Sequence, residues 1–140
     1  MLELAERCEK ATGPEKQVDW EYPLDADIFE TVKGPLWDKL YHQGALPCGA
    51  PDETCREYAR QRAPRYTASI DAAMTLVPEG WVESYQRRFD GRTTATCYRG
   101  GSGTLVDAEA ATSALALCAA ALRARAHLPT TEDDNADQRL

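Results

Sequence analysis

Residues 81–99, WVESYQRRFDGRTTATCYR, decide the fold. Two runs rich in aromatic and β-branched residues are separated here by Asp90-Gly91. This dipeptide accepts the positive φ angles of a type I′ turn, so the stretch predicts a β-hairpin with a two-residue loop. Such a loop fixes the register and places Phe89 opposite Arg92.

Side chains alternate between the two faces of a strand, so this register also predicts which residues share a face. One predicted face carries most of the aromatic residues together with two arginines: Trp81, Glu83, Tyr85, Arg87, Phe89, Arg92, Thr94, Thr96 and Tyr98. The other carries Val82, Ser84, Gln86, Arg88, Thr93, Ala95, Cys97 and Arg99. A slip of one residue would exchange these faces, so the prediction depends on the turn.

A long alanine-rich helix is predicted after the hairpin. Residues 100–103 read as a flexible loop, and Asp107 or Thr112 can cap the helix that follows and runs to about Ala126. Its predicted apolar stripe consists of Leu115, Cys118, Ala119 and Leu122.

Shorter helices are predicted before the hairpin. Residues 2–12 show helical spacing of apolar residues, and Gly13 is expected to end this helix as a left-handed cap. Further helices are expected over 26–33 and 51–61, within an otherwise irregular excursion. Another lies within 64–78, with Thr67 or Ser69 as its cap; its expected buried stripe is Ile70, Ala73, Met74 and Val77.

Length and composition predict one domain over residues 1–128 and a disordered acidic tail over 129–140. The net charge of −7 argues against binding to nucleic-acid polymers, which requires a basic surface. No stretch is apolar enough to span a membrane, and no signal peptide is evident. We therefore expect a cytoplasmic protein. Its five unevenly spaced cysteines argue against a disulfide framework, and reduced thiols are the default in that compartment.

Three segments resemble one family. They are KATGPEKQVDWEYPLDADIF, PRYTASIDAAMTLVPEGW and AATSALALCAAALRARA. They are similar to the phage ABA-sandwich domain family of small phage and prophage proteins, and they occur in the same order. The chain departs from the family pattern at Ser113, where proline is common, and in the stretches 40–62 and 100–103. The resemblance implies an α+β fold, an antiparallel sheet with helices packed on it in an α-β-α sandwich.

The resemblance also suggests a function. Anti-Thoeris sponges, phage proteins of similar size related to this family, sequester nucleotide-derived immune signals such as cyclic ADP-ribose isomers without chemical change. They bind in a pocket, often between subunits, with aromatic rings on bases and arginines on phosphates. We therefore expect a homo-oligomer of a phage protein that acts in the bacterial host cytoplasm.

The hairpin offers the residues such a ligand requires, since rings stack on bases and guanidinium groups pair with phosphates. The candidate ligand-binding residues are Arg87, Phe89, Arg92, Tyr98, Arg123 and Arg125. Trp81 and Tyr85 are expected in the core instead. For Arg123 and Arg125 the simpler interpretation is favourable interaction with the dipole of the helix end.

The sequence shows no complete motif for phosphate binding, zinc binding or catalysis. The loop 100–103 lacks the GK[ST] ending of a phosphate-binding loop, and the spacing of His42, Cys48 and Cys55 fits no zinc motif. No nucleophile or metalloprotease motif occurs, so we expect no enzyme and no cofactor. The alternative function is a protein–protein interaction module that inhibits a host defence protein through its acidic surface.

Overall fold

A meander of three antiparallel strands carries the helices, as the α+β prediction requires. The computed structural model describes residues 1–13, 16–18, 22–33, 57, 60–101 and 103–127. In chain order the elements are α1 (Leu2–Lys10), α2 (Pro23–Lys33), α3 (Ile70–Met74), β1 (Trp81–Arg87), β2 (Thr93–Arg99), β3 (Leu105–Ala110) and α4 (Ser113–Ala126). The strand order is β1-β2-β3.

The hairpin between β1 and β2 is confirmed, but the predicted turn and register are wrong. The loop has three residues, since the Arg88 N–H donates to the Arg92 carbonyl and the Gly91 N–H to the Arg88 carbonyl. Gly91 takes a φ of 86°, which makes this a type I turn followed by a left-handed glycine. Asp90-Gly91 fits both turns, and the extra loop residue moves every pair across the hairpin by one.

The corrected register changes the composition of the faces. The face toward the helices carries Trp81, Glu83, Tyr85, Arg87, Thr93, Ala95, Cys97 and Arg99 from the hairpin, and Val106, Ala108 and Ala110 from β3. The opposite face carries Val82, Ser84, Gln86, Thr94, Thr96 and Tyr98, with Leu105, Asp107 and Glu109. Arg92, Thr94, Thr96 and Tyr98 therefore do not share a face with Trp81 and Tyr85.

Strand β3 was not predicted. Its residues were expected on the approach to the last helix, with Asp107 as one possible cap. The structure shows that Thr112 is the cap: its hydroxyl accepts the Leu115 N–H at 3.2 Å. An alternation signal was present, because Val106, Ala108 and Ala110 point inward and their neighbours outward. Two of those three inward residues are alanines, which fit a helix equally well.

Helix α4 is buried on nearly all sides rather than along one stripe. Ten of its fourteen residues are buried, which exceeds what a single apolar face provides. The helix contacts β2 and β3, α1, and α3, and contacts β1 less. Because it lies mainly over β2 and β3, Trp81 is buried but Tyr85 is 45% exposed. The prediction of a core position is confirmed for Trp81 and wrong for Tyr85.

The N-terminal helix follows its predicted face. Leu4, Ala5 and Cys8 are buried, and Ala11 packs at the edge of the core. The helix ends earlier than predicted, because Ala11 is already extended. Gly13 does not adopt a left-handed conformation and so is not the predicted cap.

The helix predicted within 64–78 is α3, a single short segment. Ser69 caps it by accepting the Ala72 N–H at 3.3 Å. Ala73 and Leu76 are wholly buried, whereas Met74, predicted inside, is 41% exposed because the helix ends there.

Helix α2 begins at Pro23, three residues before its predicted start. Of the helix predicted over 51–61, Glu57, Arg60 and Gln61 are helical and the rest lies outside the described residues. The predicted tail, 129–140, also lies outside them.

The hairpin turn requires glycine at position 91. We expect Gly91→Ala to lower the free energy of unfolding by about 1–2 kcal/mol, because an L-residue is strained at a φ of 86°. Gly100→Ala is the matched control, since Gly100 has an ordinary φ and open space around it. Urea denaturation measures both. Equal effects of the two substitutions would contradict the turn described here.

Candidate functional site

The turn between β1 and β2 forms part of the wall of an open groove of about 710 Å³. Gln86 and Thr94 belong to the sheet face away from the helices, and Arg87, Arg88, Phe89 and Asp90 complete the lining. Asp90 is held within the turn, because its carboxylate accepts the Arg92 N–H at 3.0 Å. The geometry of the groove therefore depends on the loop that fixes the hairpin register.

Phe89 is the most exposed apolar residue of the hairpin. Its ring lies at the tip of the turn with no burial at all. Tyr98, the other predicted ring, lies at the opposite end of the hairpin and is 41% exposed. It faces Val82 and Leu105 on the open sheet face. The structure therefore does not bring Phe89 and Tyr98 into one site.

Two of the predicted arginines meet at the C-terminal end of α1. Arg123 donates from Nη1 to the Glu9 carboxylate at 2.9 Å, from Nη2 to the same carboxylate, and from Nη1 to the Asp107 carbonyl at 3.0 Å. Arg92 donates to the Glu9 carbonyl at 3.4 Å and to the Glu109 carboxylate at 2.8 Å. The end of α4 thus lies beside the hairpin, as an anion pocket would require.

Protein carboxylates already occupy the positions next to these arginines. Glu9 pairs with Arg123, and Glu109 pairs with both Arg88 and Arg92. An anion entering here would have to replace a carboxylate that the chain itself supplies. We therefore assign Arg92 and Arg123 to the structure that joins α1, α4 and the sheet.

Arg125 points to another part of the molecule. Its Nε donates to the Leu76 carbonyl at 2.6 Å, which ties the end of α4 to the segment after α3. Burial lowers the pKa of the Arg125 guanidinium, and the nearby Tyr66 opposes that shift. Arg123 and Arg125 do not form one site, because the Arg123 side chain extends toward α1 and β3 and the Arg125 side chain toward the segment after α3.

Arg87 is the predicted cation that has no partner among the residues described by the structure. It is exposed and makes no hydrogen bond or ion pair with any other residue that the structure describes. Around the turn, three arginines (87, 88 and 92) face two carboxylates, Asp90 and Glu109, which leaves one net positive charge. Arg87 with Phe89 is therefore the part of the predicted set that can meet a ligand together.

A buried charged cluster beside α2 had no signal in the sequence. Asp25 is fully buried; it accepts the Thr67 N–H at 2.8 Å and lies 2.9 Å from the Arg65 Nε. The Arg65 guanidinium stacks on the Tyr22 ring at 3.3 Å. Burial raises the pKa of Asp25, and the bonds from Thr67 and Arg65 oppose that shift. This cluster fastens α2 to the turn before α3.

The buried thiols are also structural. The Cys118 Sγ donates to the Tyr66 carbonyl at 3.0 Å, and a hydrogen bond with Cys8, together with burial, raises its pKa well above the usual value. Burial, reinforced by Glu83, raises the pKa of Cys97 to about 11. A thiol is a nucleophile only as the thiolate, so these cysteines are held in their unreactive form.

Other candidate chemistry is absent from the described residues or lies beyond them. No group of three potential metal ligands occurs within the described ranges, and His42, Cys48 and Cys55 lie outside those ranges. The loop 100–103 leads into β3 rather than into a helix, so it lacks the context of a phosphate-binding loop. None of the described helices has the length and apolarity to cross a membrane.

Comparison with known proteins returned nothing: the chain matches no family model, no curated protein and no solved structure. The resemblance to the phage ABA-sandwich family therefore stays a prediction from the three sequence segments.

The assignment of the arginines can be tested by stability. We expect Arg123→Gln to lower the free energy of unfolding by about 1–2 kcal/mol, because it leaves the half-buried Glu9 carboxylate unpaired. Within the single chain, Arg87→Gln should change it by less than about 0.5 kcal/mol, as is usual for exposed side chains without partners. Urea denaturation of both variants, at a protein concentration low enough to keep the chain monomeric, measures the two free energies of unfolding. A cost at Arg87 equal to that at Arg123 would contradict the distinction.

Proposed function

We propose that this chain is a non-catalytic binding protein for a small nucleotide-derived anion, held at the turn of the β1–β2 hairpin. The observation that carries the proposal is the fully exposed Phe89 ring beside the available Arg87 guanidinium, in one open groove. A ring with both faces open can stack on a base, and a guanidinium fork matches phosphate oxygens.

The size of the groove supports a ligand of this class. At about 710 Å³ it falls within the range of small-molecule sites, roughly 300–1,000 Å³. Gln86 and Thr94, paired across the two strands, add an amide and a hydroxyl that can hydrogen-bond to a base or a ribose. Arg88 contributes less, since Glu109 already neutralises it.

The biological setting of the proposal comes from the sequence resemblance. A phage protein of this kind would sequester a cyclic ADP-ribose isomer or a cyclic oligonucleotide in the host cytoplasm, as a homo-oligomer, and so counter bacterial defence. No bond in the ligand is made or broken in such a role. The ligand is removed from signalling only while it stays bound, so tight binding is the whole activity.

A second candidate, docking onto a host defence protein, is favoured by the sheet face away from the helices. Val82, Tyr98 and Leu105 are between 41% and 59% exposed there, next to the acidic Asp107. Apolar side chains bordered by a carboxylate suit a protein partner with a basic residue at its rim. A stoichiometric partner captured from host lysate by the wild-type chain, and lost with Tyr98→Lys, would favour this candidate.

Binding to defined nucleotides tests the first candidate. Cyclic ADP-ribose isomers and cyclic di- and trinucleotides are the probes, with affinity measured by calorimetry. We expect one class to bind, and Phe89→Ala to weaken it about 5- to 150-fold through loss of about 1–3 kcal/mol of stacking. Arg87→Gln should also weaken binding. The ratio of variant to wild-type dissociation constants should grow as the salt concentration is lowered, because charges are then screened less.

The control removes one charge outside the hairpin. Lys16→Gln, at an exposed position between α1 and α2, should bind the probe as the wild type does. Heating the complex should release the probe intact. Cleaved probe would show an enzyme instead, and no binding of any probe would overturn the proposed function.

A further inference from the structure

Strand β1 forms an edge of the sheet with its outer backbone groups directed away from β2. The Arg88 N–H donates to the Arg92 carbonyl, and the Gly80 carbonyl accepts the Gly100 N–H, so the even-numbered residues of β1 bond to β2. The N–H and C=O groups of Glu83, Tyr85 and Arg87 therefore point outward. None of the described residues pairs with them.

The other edge of the sheet, on β3, is obstructed near its middle. Helix α1 contacts β3, and Arg123 donates to the outward carbonyl of Asp107 at 3.0 Å. The Glu9 carboxylate holds that guanidinium in place. Because these groups hinder the approach of another strand, β1 is the more accessible edge in the described part of the chain.

Apart from its two charged residues, Glu83 and Arg87, strand β1 lacks the devices that usually protect an edge. Its sequence, WVESYQR, contains no proline, glycine or lysine, and it is seven residues long without a bulge. On the face toward the helices, Tyr85 is 45% exposed because α4 covers β1 least. This edge therefore combines backbone groups that no described residue pairs with and a half-exposed ring.

The charges of β1 are self-complementary. Glu83 and Arg87 lie two residues on either side of Tyr85, on the same face. In an antiparallel pair centred on Tyr85, Glu83 of each copy lies opposite the partner's Arg87, and the tyrosines lie opposite each other. Centring the pair on Ser84 instead would place Glu83 opposite the partner's Tyr85 and lose both ion pairs. The two ion pairs therefore select one register.

We propose that β1 pairs with β1 of a second copy of this chain about a two-fold axis at Tyr85, which joins two three-stranded sheets into one of six strands. This inference does not depend on the proposed ligand, because it rests on the edge alone. Arg87 belongs to both surfaces. Its guanidinium has five N–H donors. An ion pair with the partner's Glu83 uses at most two of them, so the others can still donate to a ligand in the groove.

Sedimentation equilibrium over a range of concentrations, without nucleotide, tests the dimer. The wild type should reach twice the chain mass of 15.5 kDa. Glu83→Arg places two arginines opposite each other at each ion pair, and Arg87→Glu places two glutamates there. Each variant alone should raise the dimer dissociation constant at least about tenfold. Glu6→Arg, an exposed reversal on α1, is the control and should leave it unchanged.

Mixing the two variants tests the register. A Glu83→Arg copy and an Arg87→Glu copy carry opposite charges at the interface, so the mixture should form the dimer that neither forms alone. Circular dichroism confirms that each variant is folded. A wild type that stays monomeric up to about 1 mM, or a mixture that fails to restore the dimer, would overturn the proposal. Neither result bears on nucleotide binding by the monomer, which calorimetry with Phe89→Ala tests separately.

Discussion

The small side chains of α4 let the sheet, α1 and α3 approach one helix from several sides. The helix contains seven alanines, and its wholly buried leucines, Leu115, Leu117 and Leu122, reach into the spaces between the surrounding elements. Close packing of this kind leaves no room for larger residues. The position of α4 therefore sets the positions of the other elements, because each of them completes its burial on α4.

The offset of α4 toward β2 and β3 has two consequences. On the covered side, Arg123 reaches from the end of the helix to Glu9 and Asp107 and obstructs the β3 edge with charge-assisted hydrogen bonds. On the other side, β1 has an exposed tyrosine and outward backbone groups. Arg87 at the end of β1 and Phe89 in the turn that follows are both exposed to solvent. Both proposed binding surfaces lie where this helix does not reach.

The ends of α1, the hairpin strands and α4 could be predicted to within a few residues, because the spacing of apolar residues and the capping residues are local features of the sequence. The register of the hairpin could not be predicted in this way. Asp90-Gly91 suits both a two-residue and a three-residue loop, and packing on the helices selects between the two. The site was predicted in part: Phe89 and Arg87 lie together at the turn. The partners of Arg92 and Arg123 could not be predicted, because Glu9 lies 114 residues from Arg123 in sequence. The burial of Asp25 likewise arises from contacts with distant residues.

The most direct test of this account is the free energy of unfolding of Ala120→Leu, measured by urea denaturation beside Ala126→Leu. Ala120 is fully buried within α4, whereas Ala126 is exposed at its end. The account predicts a loss of about 1–3 kcal/mol at position 120, because the enclosed helix cannot accommodate a larger side chain. It predicts a change of less than about 0.5 kcal/mol at position 126. Equal tolerance of leucine at both positions would contradict the enclosure of α4.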